Sequence, residues 1–271
     1  MTIERVMPDL HAQRPLAEVP VRRVGHRGVK RPMVIAEHAA PAMVTLDVYV
    51  GLTADQRGAH MSRLIDVLDH AARPATLIDY VRASFEELRA VTPGSAGWLI
   101  QARASTLIPV DGGVKPIEEV CTIEQHDGVP PLTTWGVALK VALACPQAQA
   151  VIASDRCAED HEIGDHPSHN QVCDLEVTLS GVPDNRWGLT TAGLALTAEQ
   201  AASGPVRERH KRRSEADTVA AIHANASFAE DSLRNLAAHL RALCANAKAI
   251  RCEIVNYESI FEYPLHCVVV N

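Results

Sequence analysis

Gln171-Val172-Cys173-Asp174-Leu175-Glu176-Val177-Thr178-Leu179 puts Cys173, Leu175, Val177 and Leu179 on one side and Val172, Asp174, Glu176 and Thr178 on the other. Successive side chains of an extended chain point to opposite faces, so this stretch reads as a strand with one apolar face. Working outward, Thr133 to Ala144 reads as its companion, and residues 249–255 and 265–270 close the chain as strands. Strands are also expected over 21–36, 42–52, 97–105 and 115–124, where Val, Ile and Thr recur between Pro and Gly. A helical period replaces the alternation over His60 to Ala72, with Met61, Leu64, Ile65 and Leu68 on one face. It returns in Leu77, Ile78, Val81, Phe85 and Leu88, near Leu196 to Ala202, and over Phe228 to Asn246 with Leu233, Leu236, Leu240 and Leu243. Arg73-Pro74 and Thr92-Pro93-Gly94 end the first two helices.

The order is strand-strand-helix-helix-strand-strand, twice, with no sequence identity between the halves. That order predicts an α+β fold of antiparallel sheets with paired helices on one face. The division is an extended segment 1–20, a first module 21–130 and a second module 131–271. Such sheets have open edges, and closing them into an oligomeric barrel is one remedy, so a homo-oligomer is expected.

A chain of 271 residues that is 47% hydrophobic can bury a substantial core. No apolar run approaches the roughly 20 residues of a membrane span, and Met1 to Pro20 does not read as a secretory signal. Seven cysteines, an odd and scattered set, fit a reducing compartment better than a disulfide framework. The expectation is a soluble, cytoplasmic protein without a membrane partner. The net charge of -7 argues against a nucleic-acid partner, although Arg207 to Arg213 is locally basic and reads either as an attractor of phosphates or as a solvated loop.

The densest chemistry lies between Asp155 and His169: Cys157, three histidines (His161, His166, His169) and five carboxylates (Asp155, Glu159, Asp160, Glu162, Asp165). A thiolate with an imidazole suits a borderline divalent ion, and an incomplete protein ligand set leaves a position for water or substrate. Cys157 and His169 stand twelve positions apart, too far for one helical turn, so they would flank a loop and need further ligands. The competing reading is a solvated acidic loop carrying surface histidines.

Several motifs resemble the type IB GTP cyclohydrolases: Met7-Pro8-Asp9, Val24-Gly25, Pro32, Gly58-Ala59-His60-Met61-Ser62-Arg63 and His169-Asn170-Gln171. Lys211-Arg212 followed by Glu215, Phe228-Ala229-Glu230-Asp231, and Glu258-Ser259-Ile260 continue the series in the family's order. The resemblance implies tandem tunnelling-fold (T-fold) modules in a homotetramer with sites between subunits. It implies a metal-dependent reaction that opens the imidazole ring of GTP at C8, releases formate and recloses to 7,8-dihydroneopterin triphosphate, in folate or related pterin biosynthesis. Carried over residue by residue, it makes Cys157, His169 and Glu215 ligands of a divalent metal, zinc foremost with manganese or iron as alternatives. Glu230 falls where these enzymes anchor the purine, although Ser227 and Glu230 also read as a capping box. His60, Ser62 and Arg63 fall at a helix start suited to a triphosphate, against a local reading in which Arg63 pairs with Asp66 or Asp69.

The departures fall on chemistry. The family's second cysteine is Glu159 and its lysine is His161, while its Glu-Ser-Ile-His-x-His segment reads Glu258-Ser259-Ile260-Phe261-Glu262-Tyr263. Proton transfer is then left to Glu258 and His161. Two other readings stay open: a paralogue acting on another purine or pterin or stopping at an intermediate, and a purine- or pterin-binding oligomer without turnover.

Overall fold

The computed structural model describes residues 10–11, 13–38, 40–69, 74–111, 113–156 and 166–271. Among them the chain forms nine strands and six α-helices. They group into two compact units. The first holds the described residues within 10–36, 41–104 and 121–133, and the second those within 37–40, 105–120 and 134–271.

In the first unit, β1 (Val21–Met33) pairs antiparallel with β2 (Ala42–Leu52), and β2 with the first part of β3 (Gly97–Val110); β4 (Gly113–His126) follows β3 in the sheet, and residues 105–120 of these two strands belong to the second unit. Alternation in β2 buries Val44, Leu46, Val48 and Val50, as a strand with one covered face requires. α2 (Leu77–Val91) starts with a capping box: Thr76 Oγ1 accepts from the Asp79 amide at 3.2 Å while Asp79 Oδ2 accepts from the Thr76 amide at 3.1 Å. Of the helix expected over 60–72, the described residues form α1 (Met61–Asp66), and residues 70–72 lie outside the described residues. Beyond it the chain tightens into i→i−3 bonds, and the Leu68 carbonyl accepts from the Tyr80 hydroxyl at 2.8 Å while Asp69 pairs with Arg31.

In the second unit, β5 (Leu132–Ala144), β6 (Asn170–Ser180), β8 (Ala249–Asn256) and β9 (Leu265–Val270) follow one another in the sheet, and the short β7 (Gly204–Pro205) pairs with β5. The antiparallel α+β class is as expected, but the second half is richer than strand-strand-helix-helix-strand-strand. α3 (Pro146–Arg156) opens on a proline, which suits a first helical turn, and turns a buried glutamine inward: Gln149 donates to the carbonyls of His166 (2.8 Å) and His223 (2.9 Å). A helix whose inner contact is polar carries no apolar stripe to read. α4 (Thr191–Gln200) is capped by Thr190, and α5 (Arg212–Ala224) buries only Ile222, so it too lacks a stripe. The basic run Arg207 to Arg213 therefore ends inside the first turn of α5 rather than being loop throughout.

α6 (Ala229–Leu243) packs on β8 and β9 through Leu233, Leu236 and Leu240. The expected capping box is not formed. Phe228 is the N-cap, Glu230 is the second helical residue, and Ser227 Oγ is occupied by the Ser232 hydroxyl at 3.0 Å.

One local device occurs in both units. A Cβ on Gly25 of β1 would lie 1.9 Å from the Val48 carbonyl oxygen of β2, and a Cβ on Gly136 of β5 would lie 1.9 Å from the Val177 carbonyl oxygen of β6. Each leading strand thus meets its neighbour where only glycine fits.

Candidate functional site

Antiparallel pairing of β6 with β8 sets Cys173 opposite Asn256, so the start of β6 and the end of β8 share one edge of the second unit. His169 precedes β6 by one residue and Glu258 follows β8 by two. The edge is polar although it continues the apolar face: Gln171 and Asn256 are buried at inward positions.

His169 Nδ1 lies 3.0 Å from Gln171 Oε1 and 3.4 Å from Glu258 Oε2. The Gln171 side-chain amide nitrogen, in turn, donates to Glu258 Oε1 at 3.4 Å. With acceptors on that side, Nδ1 carries the imidazole proton and Nε2 presents a lone pair. A ring nitrogen held by an amide oxygen, with a carboxylate nearby, leaves the other ring nitrogen placed to ligate a metal. Glu258 Oε1 also accepts from Asn256 Nδ2 at 2.5 Å, whereas Oε2 is buried with no hydrogen bond among the described residues. The Phe261 ring meets the imidazole edge-on, centroids 6.3 Å apart. Burial, and secondarily the Glu258 charge, pushes the Cys173 thiol up to about 12, so it stays protonated.

Gln171 also lines a cleft of about 330 Å³ whose walls include Arg207, His210 and Glu215, over a floor of Ala142 and Ile222. Arg207 is fixed by two bonds to Glu199, at 2.7 and 2.8 Å, and the buried Lys115 donates to Glu199 Oε2, one of the two oxygens that Arg207 bonds. Burial pushes the Glu199 carboxyl up, but hydrogen bonds from Arg207 and Lys115 outweigh it and hold the group below its usual range.

Of the residues singled out in the sequence, His169 and Glu258 meet directly, and Glu215, in the first turn of α5, shares the cleft with Gln171. Cys157 and His161 lie outside the described residues. Among the described residues no three His, Cys, Asp or Glu side chains converge as a metal-binding group. The donor types still suit a cation: His169 Nε2 faces away from Glu258, and Glu258 Oε2, 3.4 Å from Nδ1, has no hydrogen bond among the described residues.

Glu230 is half-buried in the first turn of α6, close enough to Cys267 of β9 for its charge to help raise that thiol, after burial. His60, Ser62 and Arg63 belong to the first unit, where His60 is the N-cap of α1 without a side-chain cap bond and its ring lies 4.9 Å from that of His11. Ser62 and Arg63 are exposed, and Asp69, a partner considered for Arg63, is bonded to Arg31 at 2.6 Å.

Asn256 escaped the sequence reading, yet its signal is there. Ile250, Cys252, Ile254 and Asn256 share the inner face of β8, and a polar residue ending an apolar row needs a partner.

Residues 7–266 match the protein family described as type I GTP cyclohydrolase folE2. The chain is 27% identical over 266 residues to a protein named GTP cyclohydrolase FolE2 from Polynucleobacter asymbioticus, covering 95% of this chain and 93% of that protein. It is 27% identical over 271 residues to the protein of the same name from Cupriavidus necator, covering 97% and 94%. In fold it is similar to the crystal structure of uricase from Arthrobacter globiformis, with a TM-score of 0.55 at 9% identity over 92% of this chain and 93% of that one.

Proposed function

The chain belongs to the type I GTP cyclohydrolase folE2 family, and on that premise we propose that it is a GTP cyclohydrolase that opens the guanine imidazole ring at C8. It releases formate and yields 7,8-dihydroneopterin triphosphate. The observation that carries this reading is the pairing of His169, whose Nε2 is unbonded among the described residues, with Glu258, whose Oε2 has no hydrogen bond among them, beside a cleft that Gln171 and Glu215 line.

Cys157, His169 and Glu215 would hold a divalent ion, zinc first with manganese or iron as alternatives. Bound there, it would supply Lewis-acid activation of the attacking water. The remaining work is the chain's own. Glu258 Oε2, with no hydrogen bond to release first, takes a proton from the water and returns it to the ring nitrogen freed at C8. Phe261 and Tyr263 stand where the family resemblance puts histidines and cannot shuttle a proton near neutral pH, so His161 is the second proton carrier. Glu230, freed from capping, accepts two parallel N–H bonds from the guanine edge. His60, Ser62 and Arg63 bind the triphosphate.

The modules are T-folds in a homotetramer, with a cytoplasmic location. The edge strand β9 supports association: Leu265, Val268 and Val270 are exposed along an unpaired edge. Among the described residues no helix is long and apolar enough to cross a membrane.

Anaerobic incubation of the metal-reconstituted protein with GTP, followed by assays for formate and for the fluorescence of the oxidised pterin, tests the reading. Both signals are expected, and both are lost in His169→Ala. Formate without pterin would favour a paralogue that stops at an intermediate, the alternative that Phe261 and Tyr263 bring in. The absence of both signals would overturn the cyclohydrolase reading.

A further inference from the structure

Asn256 ends β8 directly across from Cys173, and both side chains are buried, at 3% and 0% exposure. The two halves of its amide are used in opposite senses. Oδ1 accepts from the Cys173 thiol, with Sγ 3.0 Å away, and Nδ2 donates to Glu258 Oε1 at 2.5 Å. Only one orientation satisfies both neighbours. Turned over, the amide would set its oxygen against a carboxylate oxygen and lose the bond to Glu258 in a buried place, keeping towards Cys173 only a weak N–H···S contact with the thiol proton turned to the Gln171 carbonyl 3.9 Å away.

The consequence falls on Glu258. Its Oε1 is taken up by Asn256 and, at 3.4 Å, by Gln171, whereas Oε2 has no hydrogen bond and faces His169 Nδ1 at 3.4 Å. A carboxylate free to rotate would share its donors between both oxygens.

We propose that Asn256, oriented by the Cys173 thiol, is a positioning residue: it fixes Glu258 by Oε1, so that Oε2 is the atom turned to His169, and through Glu258 and Gln171 it helps hold the His169 ring as the Nδ1–H tautomer. This rests on the cyclohydrolase reading for the meaning of Glu258 and His169, but not for the geometry. The chain of side chains is continuous: Cys173, Asn256, Glu258, Gln171, His169.

The test uses the full-length protein in two forms. In the metal-reconstituted form, kcat and KM for GTP are measured for wild type and Asn256→Ala. In the metal-free form, labelled with nitrogen-15 at histidine, the His169 ring nitrogens are read by NMR. Asn256→Ala is expected to lower kcat about 10- to 100-fold with KM nearly unchanged, the usual effect of losing a residue that orients a metal-site ligand, and to move the His169 nitrogens toward a mixture of tautomers. Unchanged nitrogen shifts overturn the proposal, whether or not the rate falls, because a purely structural role would leave the tautomer alone.

Should Asn256→Ala not fold, Cys173→Ser and Cys173→Ala decide. Serine keeps a donor for Oδ1 and should stay closer to wild type in both readouts than alanine, and equal values for the two would overturn the proposal. A wild type that releases no formate removes the cyclohydrolase reading, while the nitrogen shifts, read without turnover, still decide the role of Asn256.

Discussion

Glu258 Oε2 lies 3.4 Å from His169 Nδ1, buried and without a hydrogen bond, while its sister oxygen is bonded by Asn256 and Gln171. A buried carboxylate oxygen left unpaired is costly, and the fold retains it where a proton or a cation would relieve it. Glu258→Gln keeps the shape and removes the charge. Formate release should fall at least about 100-fold with GTP affinity little changed, as expected for a proton-transfer group. Single-turnover kinetics at saturating GTP check this, and a rate within a few-fold of wild type would remove Glu258 from the chemistry.

Glu230 sits in the first turn of α6 with no capping role, since Phe228 is the N-cap. Glu230→Gln should weaken guanine-nucleotide binding about 10- to 100-fold, the loss of a charge-assisted bond, and leave the thermal midpoint unchanged. Equilibrium binding of GTP beside a melting curve separates the two, and a lower midpoint with unchanged affinity would make Glu230 structural.

Lys115, Glu199 and Arg207 form a largely buried charge cluster of which Arg207 lines the cleft. Glu199→Gln strands two cations and should cost about 3 kcal/mol at pH 7. The Glu199 pKa is depressed in the folded protein, so its contribution is complete above the usual 4.5 and lost as pH falls through the folded value. Urea unfolding of wild type and variant should therefore stay parallel above about pH 6 and approach each other as pH falls below the usual 4.5 through the depressed folded value. A gap independent of pH would show that lost packing, not charge, is the cause.

Gly136→Ala would drive a Cβ to within 1.9 Å of the Val177 carbonyl oxygen and 2.8 Å of the Thr178 Cα, backbone that cannot step aside. The expected loss is at least about 3 kcal/mol, read as a lowered denaturant midpoint. Gly25→Ala, with the Val48 oxygen at 1.9 Å, should behave alike in the first unit. Unchanged midpoints would mean that the strands separate locally at little cost.

The sequence by itself determined the class of the fold and most of its strands. Period-two alternation in β2, β6 and β8 records which side chains leave water, and that is a local property of the chain. The stripe of α6 was legible for the same reason. α3 and α5 were not, because one turns Gln149 inward and the other buries only Ile222, so neither repeats an apolar residue at the helical period. The motif matches selected His169, Glu215, Glu230 and Glu258 as candidates, but spacing says nothing of contact. His169 and Glu258 stand 89 positions apart, and only the antiparallel register of β6 against β8 brings them to one edge. The imidazole tautomer, the unsatisfied carboxylate oxygen and the single workable orientation of Asn256 depend on partners supplied by that register. They were decided by the tertiary structure alone, because a hydrogen bond is fixed by the position and direction of two groups, and the sequence records only their kind.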